Sequence, residues 1–208
     1  MSKRRTFESP VSALLAMLPF ALLTVVGMFA LLAFDGTAGP AAPSPTIWPQ
    51  SSGIAREPGK FTALVFAHPL CPCTRATLYE LSRVLDSQQP EIPIRTKVLF
   101  VRPAGDNSWQ PTDIWKQAED IPGANASWDE NGVEARRFGA KTSGMMLLYD
   151  ARGRLLFEGG ITGSRGHIGD NYGAHRLSAA LERGIRQSGN PPFGCSLAIS
   201  NPDETGAR

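Results

Sequence analysis

From Ser9 to Phe34 the chain carries no charged residue, and Val11 to Phe34 is dominated by Leu, Ala, Val, Phe and Met. At about 1.5 Å per residue that run makes roughly 36 Å of helix, enough for a hydrocarbon core of about 30 Å. Pro19 and Gly27 are tolerated inside such a helix. The pattern therefore predicts a transmembrane anchor over residues 11–34. A cleaved leader cut near Ala38–Ala42 is the competing reading, but leaders carry apolar stretches of only about 7–15 residues. Residues 35–58 then turn rich in Pro, Ala, Ser and Gly. They have little apolar surface to bury and read as a linker.

The rest of the pattern predicts a domain over 59–197 and a polar tail over 198–208. Phe61 to Ala67 is a short apolar run, the mark of a buried strand. Leu78, Leu81, Val84 and Leu85 fall on one face of a helix over Thr74 to Leu85. Ile94 to Val101 reads as a second strand, ended by Pro103 and Gly105. Helices are predicted over Pro111 to Glu119 and Glu130 to Phe138, the latter stopped by Gly139. Met145 to Tyr149 and Leu155 to Glu158 flank Asp150-Ala-Arg-Gly153 as a hairpin. A last helix is predicted over Tyr172 to Gln187, with Leu177, Ala180, Leu181 and Ile185 on one face. The order β-α-β-α-α-β-β-α gives an α/β sandwich around a small mixed sheet.

Charge adds a direction to the anchor. The formal net charge is +2 over 208 residues, and residues 1–10 account for it with Lys3, Arg4 and Arg5 against Glu8. The remainder is neutral, which excludes the basic face that nucleic-acid binding requires. The same three cations place the N-terminal tail, 1–10, in the cytoplasm and everything after residue 35 outside.

Three cysteines exclude a disulfide-rich scaffold and a four-thiolate zinc site. Two of them lie in His68-Pro-Leu-Cys-Pro-Cys-Thr-Arg75, where the first strand ends and the first helix begins. Unpaired N–H groups at a helix N-terminus stabilise a thiolate. Cys71 and Cys73 are close enough to pair, in a tight ring limited by Pro72, and a strained bridge is an oxidising one. Two inert buried thiols are the bland reading, and a polar strand-to-helix turn is a poor place for them.

This block, the amphipathic helix after it, Asp129-Glu-Asn-Gly-Val-Glu-Ala-Arg-Arg-Phe-Gly139 and Met145 to Tyr149 together resemble the thioredoxin-like superfamily. The closest kind is the membrane-tethered thiol–disulfide oxidoreductases of bacterial envelopes. His68 to Ala76 and Gly160 to Asp170 are also similar to a bacterial group labelled RedB. The resemblance spans about residues 61–185. It implies a thioredoxin-like sandwich, protein thiols or disulfides as partners, no required cofactor, and Cys71 and Cys73 as the attacking and resolving thiols, with the reverse assignment open. Two departures stand out. The family's pair has two residues between the cysteines, so matching Pro72-Cys73 puts Leu70 where the first cysteine would be. The family's cis-proline is replaced by Thr142-Ser-Gly144, which opens the thiols to metal.

Several other residues bear on the chemistry. His68 is a general base, a metal ligand or a strand-end cap. Arg75 holds a thiolate or lies solvated. Cys195 is a resolving thiol, a third metal ligand, a bridge to Cys71 or a free thiol. The glycine-rich stretch 159–171 lacks a phosphate-binding or dinucleotide pattern and reads as a tight loop beside the site. Trp48, Trp109, Trp115 and Trp128 read as packing. Two functions compete: an envelope thiol–disulfide oxidoreductase, and a metal-handling protein binding Cu(I) through His68, Cys71 and Cys73. A peroxidase of the peroxiredoxin kind needs a threonine three residues before its reactive cysteine, where this chain has His68 before Cys71 and Leu70 before Cys73, and a pure interaction module leaves the thiols incidental.

Overall fold

The computed structural model describes residues 10–88 and 93–198. Lys3, Arg4 and Arg5 of the basic tail, and 199–208 of the C-terminal tail, lie outside the described residues. The chain divides into a unit ending at Thr37 and a compact unit from Ala38 onward.

The first unit is helix α1, Pro10–Asp35, with Pro19 inside it. It is long and apolar enough to cross a membrane. Thr24 turns its hydroxyl back onto the Phe20 carbonyl at 2.9 Å, so this polar group is satisfied within the helix.

The second unit is a mixed six-stranded sheet with helices on its faces. Its elements are β1 (Phe61–Ala67), α2 (Pro72–Gln88), β2 (Ile94–Arg102), α3 (Asp113–Glu119), β3 (Ala124–Glu130), α4 (Val133–Arg137), β4 (Met145–Tyr149), β5 (Leu155–Gly159), α5 (Tyr172–Arg183) and β6 (Gln187–Ser188). The strand order is β3-β2-β1-β4-β5-β6. β1, β2 and β3 run parallel, β4 lies antiparallel to β1, β5 antiparallel to β4, and β6 parallel to β5. A βαβ half joined to a ββα half on one sheet is the thioredoxin-like arrangement. β1 is buried at every position, as a central strand covered on both faces must be. Its register pairs Phe61 with Ile94 on one side and Thr62 with Tyr149 on the other.

The two faces of the sheet are covered differently. On one, α2, α3 and α5 bring Leu78, Leu81, Ile114, Trp115, Leu177 and Leu181 against Val65, Val98, Phe100 and Leu148. On the other, Leu64, Phe66, Leu99, Met145, Leu147 and Tyr149 have only the five-residue α4 above them. The expected linker supplies the missing cover. Trp48 packs edge-on against Phe138 at 5.0 Å and Tyr149 at 5.1 Å. The Tyr149 hydroxyl donates to the Pro45 carbonyl at 2.8 Å, and Leu155 N–H donates to Thr46 at 2.9 Å. Ser52 and Gly53 donate to the Glu134 carboxylate at 2.7 and 3.0 Å. Reading 35–58 wholly as a free tether is therefore corrected. From Ala38 the segment is an arm laid on the domain, because an apolar sheet face without a second helix must bury itself on something.

Two further elements depart from the sequence reading. β3 was not among the predicted elements, and it takes Glu130, expected as the first residue of the next helix: Ala126 and Trp128 turn inward while Asn125 faces out, a polar edge strand with too little apolar signal. The last helix stops at Arg183 because Gly184 takes the left-handed conformation, φ 62°. Ile185 is exposed rather than on the helix face, and Gln187 lies in β6.

Candidate functional site

The site sits where β1 ends. The chain turns at His68, Cys71 N–H donating to the His68 carbonyl at 3.0 Å, and Pro72 opens α2. Proline suits that position, since it has no N–H to leave unpaired and its φ is already helical. Leu70, which the family match puts where the first cysteine would be, is 69% exposed. Cys71, one place along, points inward and is 0% exposed, and Cys73 is 7% exposed on the buried face of α2.

Opposite this turn, residues 142–144 precede β4 and the C-terminal segment folds back beside them. Ser143 N–H donates to the Cys195 carbonyl at 2.8 Å, and Leu197 N–H to the Lys141 carbonyl at 2.9 Å. Thr142 and Ser196 form an antiparallel bridge. A methyl group on Gly194 would sit 2.1 Å from the Ser143 carbonyl oxygen, so only glycine allows this approach. Gly144, at φ +89°, backs onto α2, where an added Cβ would lie 2.8 Å from the Thr77 hydroxyl. No peptide bond among the described residues is cis.

Three thiols meet in this corner, with Cys71 the shared partner. Burial works against its thiolate, but the Cys195 S–H and the N–H groups of Cys195, Thr74 and Cys73 outweigh burial and bring the thiol below its ordinary range. Burial and the neighbouring Cys71 charge push the Cys73 thiol up, with the Arg165 charge and Gly166 N–H partly offsetting them. Burial, its role as donor to Cys71 and the Cys71 charge push Cys195 up to about 12. All three are free cysteines, and Cys195 alone of them is exposed.

The cation whose charge reaches Cys73 and Cys195 is Arg165, whereas Arg75 is exposed on the first turn of α2. Arg165 also donates to the Gly194 carbonyl at 2.8 Å. It lies in the glycine-rich loop, which Glu80 fastens to α2 by accepting Gly169 N–H at 2.7 Å. The loop does border the thiols; the arginine in it was not legible, because nothing in the local pattern marks one surface arginine among many.

His68 is fitted into the turn. Its Nδ1 accepts Leu70 N–H at 3.2 Å, its own N–H donates to the Ser143 hydroxyl at 2.9 Å, and its ring lies edge-on to Trp109. Burial lowers its pKa, which favours the neutral ring. Among the described residues no three His, Cys, Asp or Glu side chains are gathered as metal ligands. Of the residues expected to hold Cu(I), His68 has its Nδ1 committed to Leu70 N–H, which leaves Nε2 as its nitrogen for a metal.

The fold is thioredoxin-like, with the dithiol corner at the end of its first strand. No protein-family model and no curated protein sequence matches the chain. Among solved structures, a conserved protein of Geobacillus kaustophilus is 20% identical over 79% of this chain and 93% of that one, with a TM-score of 0.56. A protein of Sinorhizobium meliloti is 16% identical over 79% of this chain and 95% of that one, with a TM-score of 0.53. StoA from Bacillus subtilis, 16% identical over 67% of this chain and 98% of that one, has a TM-score of 0.40. The first two likenesses, at identities of this size, speak to the fold alone.

Proposed function

We propose that the chain is a membrane-anchored thiol–disulfide oxidoreductase of the bacterial cell envelope, held by residues 11–34, with its N-terminus cytoplasmic and its domain outside. The observation that carries this reading is the pair of thiols at the N-terminus of α2, Cys71 just before Pro72 and Cys73 two residues on, among N–H groups that favour the Cys71 thiolate. The Cys71 thiolate attacks a disulfide sulfur brought to it, and that disulfide's other sulfur leaves as a thiolate. Cys73, once deprotonated, attacks the Cys71 sulfur, the remaining substrate sulfur leaves, and a Cys71–Cys73 bridge closes. Two electrons pass to the substrate, and the reverse sequence oxidises a dithiol. Protein disulfides and thiols are the substrates such a pair serves.

The test is a count of free thiols by mass spectrometry on the full chain in detergent, across a glutathione redox series. A reversible two-electron step mapped to Cys71 and Cys73, unchanged by added Cu(I), is expected. Thiols that never pair, and that one copper ion shields from alkylation, would replace the oxidoreductase with the metal-handling reading.

A further inference from the structure

Exchange at Cys71 raises a problem of access. The thiol best suited to react is wholly buried, Cys73 is nearly so, and the exposed position in the turn is held by Leu70, which has no sulfur. The thiol that reaches solvent in this corner is Cys195, whose carbonyl accepts Ser143 N–H at 2.8 Å while the Ser143 hydroxyl bonds His68 N–H and the Thr74 hydroxyl on either side of Cys71. Its position is fixed rather than incidental. The strip that carries it is tied by backbone bonds to Lys141 and Ser143, by the bridge between Thr142 and Ser196, and by Arg165 on the Gly194 carbonyl. Cys71 and Cys195 are neighbours in this corner, as a bridge between them requires.

We propose that Cys195 is the thiol through which the buried Cys71–Cys73 pair exchanges electrons with a partner protein's disulfide or dithiol, by way of a Cys71–Cys195 bridge. This rests on the dithiol reading above. In the reducing direction, Cys195 passes its proton to the Cys71 thiolate and attacks one sulfur of the partner's disulfide. That bond breaks, and the partner's other sulfur leaves as a thiolate and takes the proton back from Cys71. Cys71 then attacks the Cys195 sulfur, expelling the partner's second thiolate and forming Cys71–Cys195. Cys73 gives its proton to that departing thiolate and attacks Cys71, releasing Cys195 as a thiolate, which recovers a proton from water. The partner gains two electrons, the Cys71–Cys73 pair loses two, and Cys195 returns to its starting state. Oxidation of a partner dithiol runs the same steps backward, with Cys71 leaving readily because its thiolate is stabilised.

The experiment uses the full chain in detergent micelles, glutathione disulfide as probe, acid quenching and peptide mapping, on wild type, Cys73→Ser and Cys195→Ser. In wild type, glutathione is expected first on Cys195, followed by the Cys71–Cys73 bridge. Cys73→Ser should stop at a Cys71–Cys195 bridge, and Cys195→Ser should slow Cys71–Cys73 oxidation at least tenfold. Oxidation of Cys195→Ser at the wild-type rate, or a first adduct on Cys73, overturns the relay and leaves the dithiol reading standing. Absence of a Cys71–Cys73 bridge from wild type and Cys195→Ser alike overturns the dithiol reading, and the relay with it. Because the Cys73→Ser map does not use the Cys195 variant, misfolding of that variant cannot hide the answer.

Discussion

A single residue's displacement explains much of the chemistry of this site. Placing the thiol at 71 rather than 70 turns it from solvent toward the N–H groups of Cys73, Thr74 and Cys195. Those donors favour the charged form, so alkylation of Cys71 by iodoacetamide should be half-maximal below the ordinary thiol value of about 8.5. In Cys195→Ala the S–H donor is gone, the thiolate is less favoured, and the same midpoint should move upward. Peptide-resolved alkylation against pH reads both, and an unmoved midpoint would remove Cys195 from the account of Cys71. The cysteines themselves were plain in the sequence, since Cys-Pro-Cys after an apolar run is a local signal. That Cys195 joins them was not, because it lies 122 positions after Cys73 and only the fold closes that gap.

Among the elements, the C-terminal strip and the glycine-rich loop do the positioning. Gly194→Ala puts a methyl group against the Ser143 carbonyl. Lifting the strip should cost about 1–3 kcal/mol and let a bulky maleimide reach Cys71 faster, which thermal unfolding and labelling rates can follow. Glu80 is buried on α2 and holds the loop that carries Arg165. Glu80→Ala should cost about 2 kcal/mol by losing a charged hydrogen bond and slow the reoxidation of the thiols. Normal redox kinetics in that variant would mean the loop keeps its place without Glu80. Strands and helices with strong periodicity, β1, β2, α2 and the β4–β5 hairpin, were legible in advance. β3 was not, because an edge strand reading Ala-Asn-Ala-Ser-Trp-Asp-Glu has the polarity of a loop and gains its identity only from pairing with β2. β6 has two residues, too few to leave a periodic trace.

For the molecule as a whole, the arm from Ala38 decides what counts as the domain. Composition marks it as a spacer, yet it closes a sheet face on which only the short α4 lies, and composition cannot show what a segment lies on. Trp48→Ala should destabilise the domain by about 2 kcal/mol through the lost packing on Phe138 and Tyr149, lowering the midpoint in urea. A fragment beginning at residue 59 should be less stable than one beginning at 38 by a larger margin.

The arm also meets the thiol corner. Gly39 N–H bonds the Pro192 carbonyl at 2.9 Å, and the Thr142 hydroxyl bonds the Pro40 carbonyl at 2.8 Å. Thr142 is the residue bridged to Ser196, next to Cys195. The first residues of the arm and the last strip of the domain therefore share one anchorage. Shortening or cutting the arm before Thr46 would therefore remove bonds to Thr142 and Pro192, both beside the strip that carries Cys195.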